Sequence, residues 1–170
     1  PVSKQHYIIS KYIAALVFTA FILGILILST FMLSYLFFGK GDLVVFLEGL
    51  SFYDSAEAFN RLMLAFLVGS LTMIFYAVVS ITLAVLFQEA TVTWIVAALF
   101  LIGTTLLLRF EFESKWVNSL FFPKLTDSWQ YVFFSEIPFR TILNKSLVLT
   151  GYTVLIAWIG IRVFQKRDIT

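Results

Sequence analysis

The side chains able to do chemistry are few, and most lie outside the apolar runs. Glu111 and Glu113 sit beside Arg109 and close to Lys115. A carboxylate pair can serve as acid and base in glycoside hydrolysis, where the two groups flank a sugar cleft. Nothing else in the chain implies such a cleft, so these charges read as a solvated, mutually paired cluster. Lys40 stands in "GKG", but Ser34 occupies the place of the first glycine of a phosphate-binding loop and Gly41 that of its Ser/Thr. The chain is therefore not itself a P-loop ATPase. It has no cysteine, which excludes disulfides, iron–sulfur clusters and thiolate zinc sites, and its single histidine excludes a bis-His haem. No cofactor is expected on this chain. Asn144-Lys145-Ser146 matches the glycosylation pattern but abuts an apolar run, and is read as chance.

The remaining polar candidates are hydroxyls inside apolar runs. They include Ser34 in the first run, Thr72 and Tyr76 in the second, Thr104 and Thr105 in the third, and Tyr152 in the fourth. Intramembrane hydroxyls commonly join helices. These six are also the candidates for lining a path. The run interiors hold no Asp, Glu, Lys, Arg or His. Ion-coupled carriers, proton relays and voltage sensors place ionisable groups there. A hydroxyl-lined interface suits an amphipathic or lipid-like substrate better than a bare ion.

The elements that position these residues follow from hydropathy. Of 170 residues, 61% are hydrophobic, 18% aromatic and 13% charged, far from the roughly 25% charge of a soluble domain. The net charge of +2 gives no argument for nucleic acid. Uncharged apolar runs cover 12–38, 62–87, 92–108 and 146–161. A span needs about 20 residues, so spans are expected at about 12–38, 62–87, 90–109 and 146–164. At the ends of the last, Lys145 and Arg162 would snorkel to the headgroups. The expected fold is all-α and polytopic, a single transmembrane domain with four helices. Small-xxx-small pairs (Ala20 with Gly24, Ala65 with Gly69, Ser80 with Ala84) would bring helices together.

Four spans put both termini on one side. Lys4, Lys11, Arg162, Lys166 and Arg167 make that side the cytoplasm by the positive-inside rule. "QEAT" at 88–91 is a tight inner turn. Asp54 and Glu57 have capping-box spacing, which starts the second helix near Ser55. The outer segment 110–145 carries Phe112, Trp116, Trp129, Tyr131 and other aromatics, broken by Pro123 and Pro138. Short interfacial or re-entrant helices are expected there.

The chain opens with "PVSKQHYIISK". Pro1 favours a helix start and Ser3 is an alternative cap. From Lys4, a helix places Tyr7 and Lys11 on one face and Ile8, Ile9, Tyr12 and Ile13 toward the membrane. That pattern is a short amphipathic helix, 1–11, in the headgroup plane and turning into the first span.

"PVSKQHYIISKYIAAL", residues 1–16, resembles the Pro-(Val/Ile)-Ser-(Arg/Lys)…Lys stretch of type-2 ABC transporter permeases. "GIRVFQKRDIT", residues 160–170, is similar to that family's closing pattern. The resemblance implies that the four spans are the last four of a six-span permease, with two more preceding Pro1. It implies that 1–11 is a coupling helix docking a separate ABC ATPase subunit through Pro1, Val2, Ser3, Lys4, Tyr7 and Lys11. Glu89 would be a secondary contact, while Lys166, Arg167 and Asp168 anchor the last helix. ATP and Mg would sit on the partner ATPase. A second permease chain, identical or a paralogue, would complete the transporter among membrane lipid. The implied setting is a bacterial or archaeal cell membrane, with outward movement of an amphipathic substrate. A membrane anchor or assembly subunit without its own path is the alternative. A membrane enzyme using Glu111 or Glu113 is a third reading.

Overall fold

A computed structural model describes residues 3–47, 49–110 and 112–166 of the chain. Ser3 caps the first helix, α1 (Lys4–Phe38), by accepting from the His6 amide at 3.3 Å. No proline follows Ser3 before Gly39, and α1 runs as one uninterrupted 35-residue helix. The expected turn between an in-plane amphipathic helix and the first span is not there. Ile8 and Tyr12 are the buried residues of α1, and they hold its first turns against the bundle. Gly39, at φ 66°, ends the helix in a conformation that favours glycine.

A two-stranded antiparallel hairpin follows, an addition to the all-α expectation. Strand β1 (Leu43–Phe46) pairs with β2 (Leu50–Tyr53), Leu43 opposite Tyr53 and Phe46 opposite Leu50. Asp54 then caps α2 (Ser55–Phe87) by accepting from the Glu57 amide at 3.1 Å. Only half of the expected capping box forms, because the Glu57 carboxylate turns forward to Arg61. Gln88 ends α2 in the left-handed region, φ 57°. Gln88 and Glu89 alone separate it from α3 (Ala90–Leu107), the tight turn expected at 88–91.

The outer segment folds into three short helices. These are α4 (Lys115–Leu120), α5 (Phe122–Thr126) and a 3-10 helix, Ser128–Phe133. Pro123 sits in the first turn of α5, where its missing N–H costs nothing. The last helix, α6 (Phe139–Lys166), starts seven residues earlier than the apolar run 146–161 implies. Pro138 sets this start, its carbonyl accepting from the amides of Thr141 and Ile142. Lys145 consequently lies inside α6. It donates to the Lys124 carbonyl at 3.2 Å and to the Tyr131 hydroxyl at 2.8 Å, both in the outer segment.

Four helices (α1, α2, α3 and α6) are long and apolar enough to cross a membrane. The chain is thus a mostly helical protein with the marks of a multi-pass membrane protein. The central post is α2. Ala58, Arg61, Ala65, Val68, Thr72, Phe75, Val79 and Thr82 are buried at alternating steps of three and four. That is the seam of left-handed helix packing. Facing residues on α6 repeat in kind, with Ile142, Leu149, Thr153 and Gly160 buried. Three apolar layers stack along the post. Val68 meets Val132 and Ile142 near the hairpin, Phe75 meets Leu125 and Leu149 in the middle, and Val78 meets Ile8 and Tyr12 at the opposite, turn end.

Candidate functional site

At the turn end, three helices are joined at one point. The Tyr12 and Thr82 hydroxyls hydrogen-bond at 2.7 Å, and Thr82 also donates to carbonyls of Val78 and Ile156. Gly160 makes room for this junction, since a Cβ there would meet the Tyr12 hydroxyl and stand 3.1 Å from Thr82 Oγ1. Just outside it, the Tyr7 ring stacks on Phe164 at 5.9 Å, with Lys11 Nζ 5.3 Å from the Tyr7 ring. Tyr7 and Lys11 therefore share a face, as their spacing requires. These contacts place the start of α1 beside the end of α6, so both ends of the described chain lie at one end of the bundle. Ser3, Lys4, Tyr7 and Lys11 are exposed there. Glu89, also exposed, stands on the α2–α3 turn at the same end. Pro1, Val2, Arg167 and Asp168 lie outside the described residues, as does Glu111.

The hydroxyl candidates are not brought together. Thr72 is buried and donates to the Thr126 carbonyl at 3.0 Å. Thr104, 2% exposed, and Thr105 donate to carbonyls of their own helix, Phe100 and Leu101. Tyr152 donates to the Leu120 carbonyl at 3.0 Å. Tyr76 packs edge-on against Phe75 and Phe100. Ser34 lines a cavity at the hairpin end. Thr72, Thr104, Thr105 and Tyr152 each take a nearby carbonyl, as a hydroxyl in apolar surroundings does.

The most connected polar group was not among the candidates. Arg61 is 7% exposed. Its Nη1 donates to the carbonyls of Val132 and Phe134, each at 2.7 Å, and its Nε to Glu57 at 2.8 Å. The Tyr53 ring lies 4.0 Å from the guanidinium, and the Tyr53 hydroxyl donates to the Phe133 carbonyl. One side chain thus ties β2, α2 and the 3-10 helix. Its place four residues after Glu57 was the available signal. Nearby, Asp127 accepts from Gln130 Nε2 at 2.6 Å. Burial raises its pKa above the ordinary carboxylate value, and the positive charge of Lys145 and the Gln130 bond only partly oppose this.

Comparison with protein families gives one result over the whole length. The model described as "Protein of unknown function (DUF2705)" matches residues 1–170. The chain belongs to this family. Comparisons with curated proteins and with solved structures each gave no match. What this DUF2705 chain does is therefore argued from its own geometry. Among the described residues, no three His, Cys, Asp or Glu side chains are grouped so as to hold a metal.

Proposed function

We propose that this DUF2705 chain is the membrane subunit of an ATP-driven exporter of the type-2 ABC class. Residues 1–11 dock a separate ATPase at the turn end, which faces the cytoplasm. The reading rests on the sequence likeness of both chain ends and on one observation of geometry. The exposed start of α1 is fixed to α2 and α6 at Tyr12–Thr82, while from Ile13 onward α1 has no buried residue. A push on the first turns of α1 therefore reaches the central post, while the rest of α1 touches α2 through partly exposed side chains such as Phe31. At 35 residues, α1 is about 52 Å long, against a hydrocarbon core of about 30 Å. Its first turns project beyond the core. A re-entrant outer segment fits too, since Thr126 meets Thr72, about 15 Å along α2 from Leu62.

With Thr72, Thr104, Thr105 and Tyr152 spent on carbonyls, the path runs between two chains, identical or paralogous, for an amphipathic substrate. That same observation favours the second reading, a membrane anchor without a path. The tagged full chain, purified from its native membrane in mild detergent, is expected to carry an ATPase subunit. Lys4→Glu with Lys11→Glu is expected to release it. A folded preparation with no ATPase contradicts both the docking and the exporter. An ATPase that is retained, but whose turnover no amphipathic compound stimulates, selects the anchor.

A further inference from the structure

Between α1 and α2 runs a groove with two unlike halves. The deeper half is a cavity of about 380 Å³, walled by Leu23, Ile27, Ala65, Phe66, Gly69 and Trp129 among others. Ser70 and Thr72 also touch it, but their hydroxyls are spent on the Phe66 and Thr126 carbonyls. Apart from the Trp129 indole, the rest of the lining is apolar. The other half is a wider cavity of about 910 Å³ at the hairpin end, with Ser34, Lys40, Asp42, Asp54 and Asn60 in its lining. Phe31 of the wide half packs on Phe66 of the deep half at 5.7 Å, so the two adjoin along the α1–α2 seam.

Dimensions decide what can lie there. Leu23 to Tyr35 is twelve residues of helix, about 18 Å. Half of the roughly 30 Å hydrocarbon core is about 15 Å, so the groove has the length of one leaflet. The lining of the deep half, Leu23, Leu26, Ile27, Leu62, Phe66 and Met73 among others, suits a hydrocarbon chain. At the mouth, the exposed Lys40 ammonium and Asp42 carboxylate stand two residues apart. Together they complement a head carrying both a phosphate and a hydrogen-bonding cation.

We propose that the α1–α2 groove binds one zwitterionic phospholipid bearing a primary ammonium, taken from the leaflet on the hairpin side. One acyl chain lies against Gly69 and Trp129, the phosphate meets Lys40 and the ammonium meets Asp42. The site does not depend on the exporter reading, since it needs no ATPase and no transport. Gly69 is suited to this place. Its nearest neighbour is the Trp129 Cβ, 4.0 Å from where a Cβ would stand, so a small residue keeps the chain's bed open.

The test uses the full chain with Trp94, Trp116 and Trp158 changed to Phe, leaving Trp129 as reporter. It is reconstituted in phosphatidylcholine vesicles holding a small fraction of acyl-brominated phosphatidylethanolamine or acyl-brominated phosphatidylcholine. The ethanolamine lipid is expected to quench Trp129 up to about fivefold more strongly at equal fraction, the range that one exposed pair supplies. The phosphate of either lipid meets Lys40 alike, and the ammonium on Asp42 makes the difference. Lys40→Gln with Asp42→Asn is expected to remove the difference, and Gly69→Leu to weaken quenching by both lipids. Equal quenching in the starting protein overturns the proposal, as does a preference that survives the Lys40 and Asp42 changes. Quenching by neither lipid means that protein fills the groove, and overturns it as well. Should Gly69→Leu fail to fold, the Lys40 and Asp42 variant, altered only at exposed side chains, still decides.

Discussion

A single guanidinium holds the hairpin end together. Removing Arg61 leaves the carbonyls of Val132, Phe134 and Ser135 without their donor. Arg61→Leu is expected to cost about 3 kcal/mol. That is the low end for breaking a buried pair, because the half-exposed Glu57 can rehydrate. Arg61→Lys is expected to recover less than half, since a point charge cannot serve carboxylate and carbonyls together. Thermal unfolding in detergent reads both. Asp127 predicts a pH effect of definite sign. Its folded pKa is raised above the ordinary 3.8, so the folded state binds the proton more tightly than the unfolded state. Its contribution is most favourable below pH 3.8 and is lost as pH rises through the folded pKa. Asp127→Asn should therefore raise the unfolding temperature at neutral pH and flatten its fall between acid and neutral pH. The capping role of Asp54 was legible from sequence because capping is local. The wider role of Arg61 was not, because its three carbonyl partners lie more than seventy residues away.

Elements show the same division between local and tertiary causes. The four spans were legible, since each follows from an uninterrupted apolar run, and so was the two-residue turn between α2 and α3. The hairpin was not. Its strands, LVVF and LSFY, are four residues each, and their place depends on Tyr53 reaching Phe133. Nor was the early start of α6, where Arg140 and Lys145 interrupt hydropathy while tertiary partners absorb Lys145. Among helices, the three-way junction at Tyr12 gives the sharpest prediction. Gly160→Ala drives a methyl into the Tyr12–Thr82 bond and is expected to destabilise by about 1–3 kcal/mol, the usual overpacking cost. On the same helix, Gly151 has nothing within 4 Å of a Cβ position. Gly151→Ala should be neutral or stabilising by up to about 1 kcal/mol. Comparing the two unfolding temperatures separates crowding from helix propensity.

The whole molecule is a post with an arm. The post is α2, packed along one seam against α6 and the outer segment. The arm is α1, fixed at its first turns and without a buried residue beyond Tyr12. That asymmetry gives the turn end its proposed role, and leaves room for a lipid between arm and post. A sequence reading could expect the arm from the basic start of the chain, but not its attachment point, because Tyr12, Thr82 and Gly160 are far apart in sequence. The central claim is that the exposed start of α1 docks an ATPase. A photo-crosslinking residue placed at position 4 of the full chain, activated in native membranes, tests it most directly. The expected product joins this chain to a protein carrying a P-loop and the ABC signature, and is lost with Lys11→Glu. Crosslinks to lipid alone, or to this chain alone, contradict the claim.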